Sequence, residues 1–154
     1  MLLEDSSYAY RRGLSHRSAH RGVIKARDEG YVHALDADIR AFFDEVDWRL
    51  LEDRLEAFFG DDPIIKVLMD WVQAPVEIEE RLIKRSRGLP QGMVLSPILA
   101  NLYLDALDEA ILARGFRLVR FADDFGVLCK KRKGLEKARE DLFQELRKLG
   151  LALN

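Results

Sequence analysis

The chain has 154 residues, of which 48% are hydrophobic and 34% are charged, and its formal net charge at pH 7 is −2. This length and apolar fraction can bury one sizeable core, so we expect one domain. No apolar run approaches the roughly 20 residues of a membrane span and the first residues lack a signal-peptide core, so we expect no membrane association. The single cysteine, Cys129, excludes an internal disulfide and predicts a cytoplasmic protein.

Hydrophobic periodicity and turn residues predict strands interleaved with helices. In chain order the predicted elements are a helix over 18–29, a strand over 31–38, helices over 48–59 and 63–73, a hairpin over 76–87, a helix over 96–111, a hairpin over 116–130 and a helix over 134–148. Asp47 and Ser96 are predicted N-caps, and Pro97 is predicted to follow Ser96 as the first helical residue. The order predicts an α+β fold with an antiparallel sheet and helices packed on one face.

The dipeptide Asp123-Asp124 lies between two apolar, β-prone segments, where the chain must turn tightly. Adjacent ionised carboxylates repel each other and resist losing their water, so a fold keeps such a pair where a cation compensates. Mg²⁺ is the natural candidate because hard cations prefer oxygen ligands. The alternative is a solvated hairpin turn, in which Asp is a common residue.

A second carboxylate element lies upstream, in the strand that contains Asp36 and Asp38. Two metal ions that hold an attacking oxygen and a phosphate need carboxylates from different strands. Side chains alternate along a strand, so both aspartates belong to one face. Spacing alone therefore does not choose between them.

Basic residues are unevenly distributed in spite of the negative net charge. Residues 11–27 contain six basic side chains and no acidic one, and two further clusters occupy 84–87 and 130–133. Such clusters beside an acidic centre suit a nucleic-acid backbone. The alternative is that these residues are solvated surface. We favour this alternative more for residues 130–133 than for residues 11–17.

Several segments carry a family resemblance. Residues 38–44, 87–92 with 96–101, and 121–124 resemble motifs A, B and C of reverse transcriptases, in the expected order and spacing. Residues 7–15 resemble the finger motif that precedes motif A, and residues 149–154 resemble the start of motif D. The lineages with the most similar motifs are the group II intron maturases and the CRISPR-associated reverse transcriptases.

The resemblance implies the palm of an RNA-directed DNA polymerase, with a ferredoxin-like core. It implies transfer of dNTPs onto a primer 3′-OH, with an RNA template, a DNA or RNA primer, and two Mg²⁺ ions for which Mn²⁺ can substitute. The implied catalytic residues are Asp38, Asp123 and Asp124. The implied metal ligands are these three residues and Ile39, whose only ligand atom is its backbone oxygen. Asp36 then becomes a neighbour rather than a ligand.

Further roles follow from the same resemblance. Phe43, five positions after Asp38, falls where the family places its steric gate, whose ring leaves no room for a ribose 2′-hydroxyl. Either Phe42 or Phe43 is also expected to be an ordinary core residue. Gln91 and Gly92 match the loop beside the incoming nucleotide. Apart from the resemblance, the basic clusters make Arg11, Arg12, Arg17 and Arg87 the candidate template-primer contacts.

The resemblance also predicts how the chain is divided. Residues 1–30 are expected to be a remnant of the fingers and residues 31–154 the palm, with the remaining fingers and the thumb supplied by a longer parent protein. Two alternatives stay open. One is a non-catalytic nucleic-acid-binding scaffold domain. The other is a nucleotide cyclase with a palm-like fold, although the Leu89-Pro90-Gln91-Gly92 element has no place there.

Overall fold

The computed structural model describes residues 3–154, and apart from one short helix its elements follow the order that the sequence predicts. They are α1 (His16–Asp28), β1 (His33–Asp38), α2 (Phe42–Glu45), α3 (Trp48–Phe59), α4 (Ile64–Gln73), β2 (Val76–Ile78), β3 (Arg81–Ile83), α5 (Ser96–Ala113), β4 (Arg117–Phe121), β5 (Asp124–Cys129) and α6 (Gly134–Lys148). Within residues 3–154, no helix combines the length and apolar character needed to cross a membrane.

The main sheet is antiparallel and has the order β1-β5-β4, while β2 and β3 form a separate hairpin. Strands β4 and β5 are joined by a two-residue loop, because Phe121 and Asp124 are the last paired residues. Side chains on one sheet face, such as Phe125 and Val127, are buried in the core, where α6 contacts β1 and β5 and α5 contacts β4. The α+β fold with helices on one face of the sheet is therefore confirmed.

Helix α5 is the centre of the core. It contacts α3, α6 and β4, and eleven of its eighteen residues are buried. A helix that is surrounded by other elements must be apolar nearly all round, which agrees with its leucine-rich sequence.

Both ends of the described chain extend the main sheet. Residue 7 forms a parallel bridge with Arg120 of β4, and Leu153 forms an antiparallel bridge with Ile39. Backbone hydrogen bonds reinforce each bridge, from Arg120 N to Ser6 O at 2.8 Å and from Arg40 N to Ala152 O at 2.9 Å. The candidate site lies beside these two bridges, at the end of β1 and in the turn that follows β4.

Several local predictions need comment. Asp47 is the N-cap of α3, since its Oδ1 accepts from Arg49 N at 2.8 Å and from Leu50 N at 3.2 Å. The N-cap prediction for Ser96 is wrong. Leu95 occupies that position, and the Ser96 hydroxyl instead donates to the Pro90 carbonyl at 2.5 Å. This bond closes the preceding loop onto the helix.

Helix α2 is too short for periodicity to predict, and it follows Ala41 in a left-handed conformation with φ 46°. The loop around Gly88 holds α2 in place. Gly88 N donates to Val46 O at 2.7 Å and Leu89 N donates to Phe43 O at 2.6 Å. Trp48 Nε1 donates to Gly88 O at 2.7 Å. These bonds couple the segments that resemble motifs A and B.

Gly88 is required at that contact. Its φ is +87°, and a Cβ there would lie 2.9 Å from the carbonyl oxygens of Phe43 and Asp44. We expect Gly88→Ala to lower the free energy of unfolding by about 2–4 kcal/mol, because left-handed strain adds to a backbone clash. Urea unfolding measures the loss.

Gly115→Ala is the matched control. Gly115 has nearly the same φ, +83°, but a Cβ there would meet nothing within 4 Å. Its loss should be only about 1 kcal/mol, from the backbone conformation alone. Equal losses in the two variants would contradict the close approach at Gly88.

Candidate active site

The turn between β4 and β5 presents Asp123 at the edge of the main sheet. Ala122, the first loop residue, has φ 62°, whereas Asp123 is not left-handed. A positive φ at the first loop position alone is the pattern of a type II′ hairpin, which normally has glycine there. An alanine in this conformation is strained, and such strain persists where surrounding contacts impose it.

Asp38 and Asp124 are brought together by strand register. They are direct partners in the antiparallel pairing of β1 with β5, so their side chains lie on the same sheet face. Ile39 N donates to Asp123 O at 3.3 Å, which ties the end of β1 to the turn. The Ile39 side chain is buried in the core, so only its backbone can face the site. Asp36 is exposed on the same face as Asp38, two residues further from the turn.

Asp123 is affected by its burial and by the two neighbouring carboxylates. Partial burial raises the pKa of Asp123 above its usual value, and the charges of Asp38 and Asp124 raise it further. No group of three or more acidic, histidine or cysteine side chains within residues 3–154 is gathered tightly enough to enclose a cation as it stands. Mutual repulsion favours such separation, and a cation between the carboxylates would relieve it. The donor set, all oxygen, suits Mg²⁺ or Mn²⁺.

A cavity of about 490 Å³ lies beside α2 and the start of α5. Phe43, Gln91 and Gly92 all line it, together with Tyr10 and Pro97. The structure thus brings together three residues that the sequence analysis assigned to one site. Phe42 is only 2% exposed and packs in the core, with its ring 5.3 Å from that of Phe43. Phe42 is therefore the core residue of the pair.

The four arginines proposed for nucleic-acid contact have different surroundings. Arg12 and Arg17 are exposed. Arg87 is also exposed and forms an ion pair with Glu45 at 2.7 Å. Arg11 is partly buried, and its Nη1 donates to Glu4 O at 2.6 Å and to Ser7 O at 2.7 Å. Arg11 therefore holds the N-terminal segment in place, a structural task that the charge pattern did not reveal.

Comparison with known proteins assigns the family. The model of the family described as "Reverse transcriptase (RNA-dependent DNA polymerase)" matches residues 1–154. The chain belongs to the reverse transcriptase family. The group II intron-encoded protein LtrA of Lactococcus lactis subsp. cremoris is 30% identical over 113 residues, which are 72% of this chain and 18% of that protein. This similarity agrees with the intron-related lineage that the motifs predict.

Two further comparisons concern the same family and fold. The retron Ec86 reverse transcriptase of Escherichia coli is 40% identical over 70 residues, 43% of this chain and 22% of that protein. The telomerase of Candida albicans, solved with the TWJ fragment of telomeric RNA, matches 97% of this chain and 30% of its own with a TM-score of 0.78 and 16% identity, which shows the shared fold. The chain thus spans about a fifth of the length of both curated relatives. Reverse transcriptases generally use divalent metal ions, and the carboxylates described above fit that chemistry.

Sequence reasoning missed other contacts around Asp38 and the turn that contains Asp123. Asn154 donates from its backbone N to Asp38 O at 3.0 Å, and its side-chain amide donates to Asp38 Oδ2. The His16 ring stacks on Phe121 with centroids 3.6 Å apart, directly beside the turn. Arg120, buried under the turn, donates to Ala122 O at 2.9 Å. All of these contacts join residues distant in sequence or hidden inside an apolar strand, so no local pattern signals them.

Proposed function

We propose that this chain is the palm of an RNA-directed DNA polymerase, which adds dNTPs to a primer 3′-OH by metal-assisted nucleotidyl transfer. The observation that carries the proposal is the register of β1 against β5. In this register Asp38 lies opposite Asp124 and Ile39 is bonded to Asp123, so the three carboxylates belong to the same end of the sheet. Two-metal phosphoryl chemistry requires such convergence.

In this proposal Asp38, Asp123 and Asp124, with the Ile39 backbone oxygen, would hold two Mg²⁺ ions, or Mn²⁺ in their place. When bound, these ions would supply positive charge that stabilises the transferred phosphate and lowers the pKa of the primer hydroxyl. The strained Ala122-Asp123 turn presents the Asp123 carboxylate. The Asn154 amide donates to the Asp38 carboxylate and would restrain it as a metal ligand.

The cavity beside α2 is proposed to receive the incoming dNTP. Phe43 would lie under the sugar, while the exposed Gln91 and Gly92 would flank the nucleotide. Gly92 has φ +87° and open space where a Cβ would stand, so its backbone permits close approach. Residues 1–30 are assigned to the fingers and residues 31–154 to the palm. The buried thiol of Cys129 suits a reducing cytoplasm.

Primer extension tests the proposed function. The full-length protein, meaning the natural chain that contains these 154 residues, is incubated with a DNA primer on an RNA template, dNTPs and Mg²⁺. We expect extension that stops when the metal is chelated. Binding of the duplex without extension would favour the scaffold interpretation. Formation of a cyclic nucleotide product from GTP would favour the cyclase interpretation.

Template binding gives a separate prediction for Arg12 and Arg17. If both contact phosphates, the double alanine variant should bind an RNA–DNA duplex more weakly, and the slope of log affinity against log salt should fall by about 2. Arg11 is left intact because it supports the fold. Fluorescence titration at several salt concentrations measures the slope.

The matched control for that slope removes the same charge elsewhere. Lys131 and Arg132 are exposed beyond the end of β5 that is opposite to Asp124. Their double alanine variant should keep the wild-type slope. An unchanged slope in the Arg12/Arg17 variant would assign those arginines to solvated surface.

A further inference from the structure

A buried arginine lies directly beneath the turn that carries Asp123. Arg120 and Asp108 both have 0% exposed side chains, and they form a forked ion pair. Arg120 Nε donates to Asp108 Oδ1 at 2.8 Å, and Nη2 donates to Oδ2 at 2.6 Å. Asp108 belongs to α5 and Arg120 to β4, so the pair joins the central helix to the sheet.

The second arm of the guanidinium reaches the turn itself. Arg120 Nη1 donates to Ala122 O at 2.9 Å and to Asn101 Oδ1 at 3.0 Å. Asn101 is buried and also donates from Nδ2 to Ala9 O at 2.8 Å. The guanidinium is therefore held by Asp108 and Asn101 of α5, and Nη1 also donates to one carbonyl of the turn.

Stability alone does not account for this ion pair. Removing two charges from water is costly, and well-packed apolar residues of similar volume serve a core as well or better. Lysine in place of Arg120 would offer one compact ammonium rather than a planar fork. The use that the geometry gives to the fork is simultaneous contact with Asp108, Asn101 and the Ala122 carbonyl.

That carbonyl determines where Asp123 points. The Ala122 oxygen and the Asp123 nitrogen belong to the same planar peptide unit, so holding the oxygen fixes the direction in which the Asp123 backbone leaves the turn. Ala122 is in a left-handed conformation that is strained for a residue with a Cβ. Without the bond from Arg120, that peptide unit would be free to rotate toward a relaxed conformation.

We propose that Arg120 and Asp108 are positioning residues for Asp123: Asp108 holds the guanidinium, and the guanidinium holds the Ala122–Asp123 peptide in the orientation that metal binding needs. This inference rests on the proposed function, because it takes Asp123 as a metal ligand. Neither Arg120 nor Asp108 touches substrate in it.

The test replaces the pair as a unit. Arg120→Met combined with Asp108→Leu leaves no unpaired buried charge, so the variant should remain folded by circular dichroism. Arg120→Lys is a second variant, which keeps the charge but loses the fork. We expect both to need at least about fivefold more Mn²⁺ for half-saturation in an EPR titration. At saturating dNTP and duplex, their kcat should fall on the order of 10²-fold with little change in KM, because small misplacement of a reacting group has effects of that size.

The matched control removes another ion pair that involves α5. Arg114 pairs with Glu145 and, at 3.5 Å, with Asp141, both in α6 and away from the turn, so the combination of Arg114→Met, Glu145→Met and Asp141→Leu should keep the wild-type Mn²⁺ titration. Wild-type Mn²⁺ affinity and kcat in the Arg120 variants would overturn the positioning role. If the wild type extends no primer but binds Mn²⁺, the proposed function fails, while the titration still decides the role of Arg120. A wild type that neither binds Mn²⁺ nor extends a primer overturns both.

Discussion

Asp123→Asn is expected to reduce Mg²⁺-dependent primer extension by on the order of 10²–10³-fold. Metal ligation supplies several kcal/mol of charge stabilisation in the transition state, and each 1.4 kcal/mol corresponds to a factor of ten in rate. The substitution keeps the size of the side chain but removes the charge that attracts the cation. Single-turnover extension by the full-length protein measures the change. A rate near that of the wild type would refute the metal assignment.

Asp36→Asn is the matched control for this result. Asp36 is an exposed carboxylate on the same sheet face as Asp38, and it lies opposite Gly126 rather than opposite an acidic residue. Its replacement removes the same charge from the same face and should leave the rate within about twofold of the wild type. A large loss of activity in Asp36→Asn would mean that Asp36, rather than Asp38, is the metal ligand of β1.

Loss of folding would not explain a slow Asp123→Asn enzyme. The pKa of Asp123 is raised in the folded state, chiefly by partial burial, so the folded protein binds this proton more tightly than the unfolded chain. The ionised carboxylate therefore opposes folding at neutral pH, and this penalty disappears as the pH falls below the unfolded pKa. In metal-free buffer at pH 7, we expect the free energy of unfolding of the Asp123→Asn variant to be equal to or higher than that of the wild type. Chemical denaturation measures it.

Phe43→Ala is expected to weaken selection of deoxynucleotides. If the ring lies under the sugar in the cavity that it shares with Gln91 and Gly92, its removal makes room for a 2′-hydroxyl. The ratio of kcat/KM for a dNTP to that for the matching rNTP should fall roughly 10- to 100-fold, the range in which pockets separate substrates that differ by one small group. Single-nucleotide incorporation by the full-length protein gives both values.

Phe42→Ala separates sugar selection from packing. Phe42 is buried in the core, so its truncation should lower the free energy of unfolding by about 3–5 kcal/mol without changing the ratio of efficiencies. If the ratio changes in Phe42→Ala and not in Phe43→Ala, the assignment of the steric gate is off by one residue. If it changes in neither, no steric gate exists at this position.

The sequence determined the helices and strands well where the local signal was strong. The Asp47 side chain accepts hydrogen bonds from free N–H groups at the start of α3, which is a local signal for a helix start. The apolar stripe of α6 is a second local signal, because such a stripe is stable only when it packs on a core. The prediction for Ser96 was wrong because the sequence does not show which hydrogen-bond partner the serine hydroxyl will find. Its hydroxyl donates to Pro90 O, a partner that only the folded loop provides.

For the candidate site, the sequence alone identified the acidic residues, whereas the tertiary structure determined their relative positions. The adjacent residues Asp123 and Asp124 form an unusual concentration of negative charge. The motif resemblance implies that Asp38 is the third carboxylate of the site. Only the register of β1 against β5 places Asp38 opposite Asp124, because strand pairing depends on contacts far apart in the chain.

The supports of the site were decided by tertiary structure. Within an apolar strand, Arg120 reads as an exposed charge, yet it is fully buried because Asp108 and Asn101, in a helix that precedes it in the chain, supply the acceptors it needs. Arg11 reads as a member of a basic cluster, yet its Nη1 is taken by two carbonyls. Local sequence determines which groups carry charge and which segments form helices or strands. Whether a charge faces solvent, substrate or a buried partner depends on which distant backbone the fold brings next to it, and that is where sequence reasoning ended.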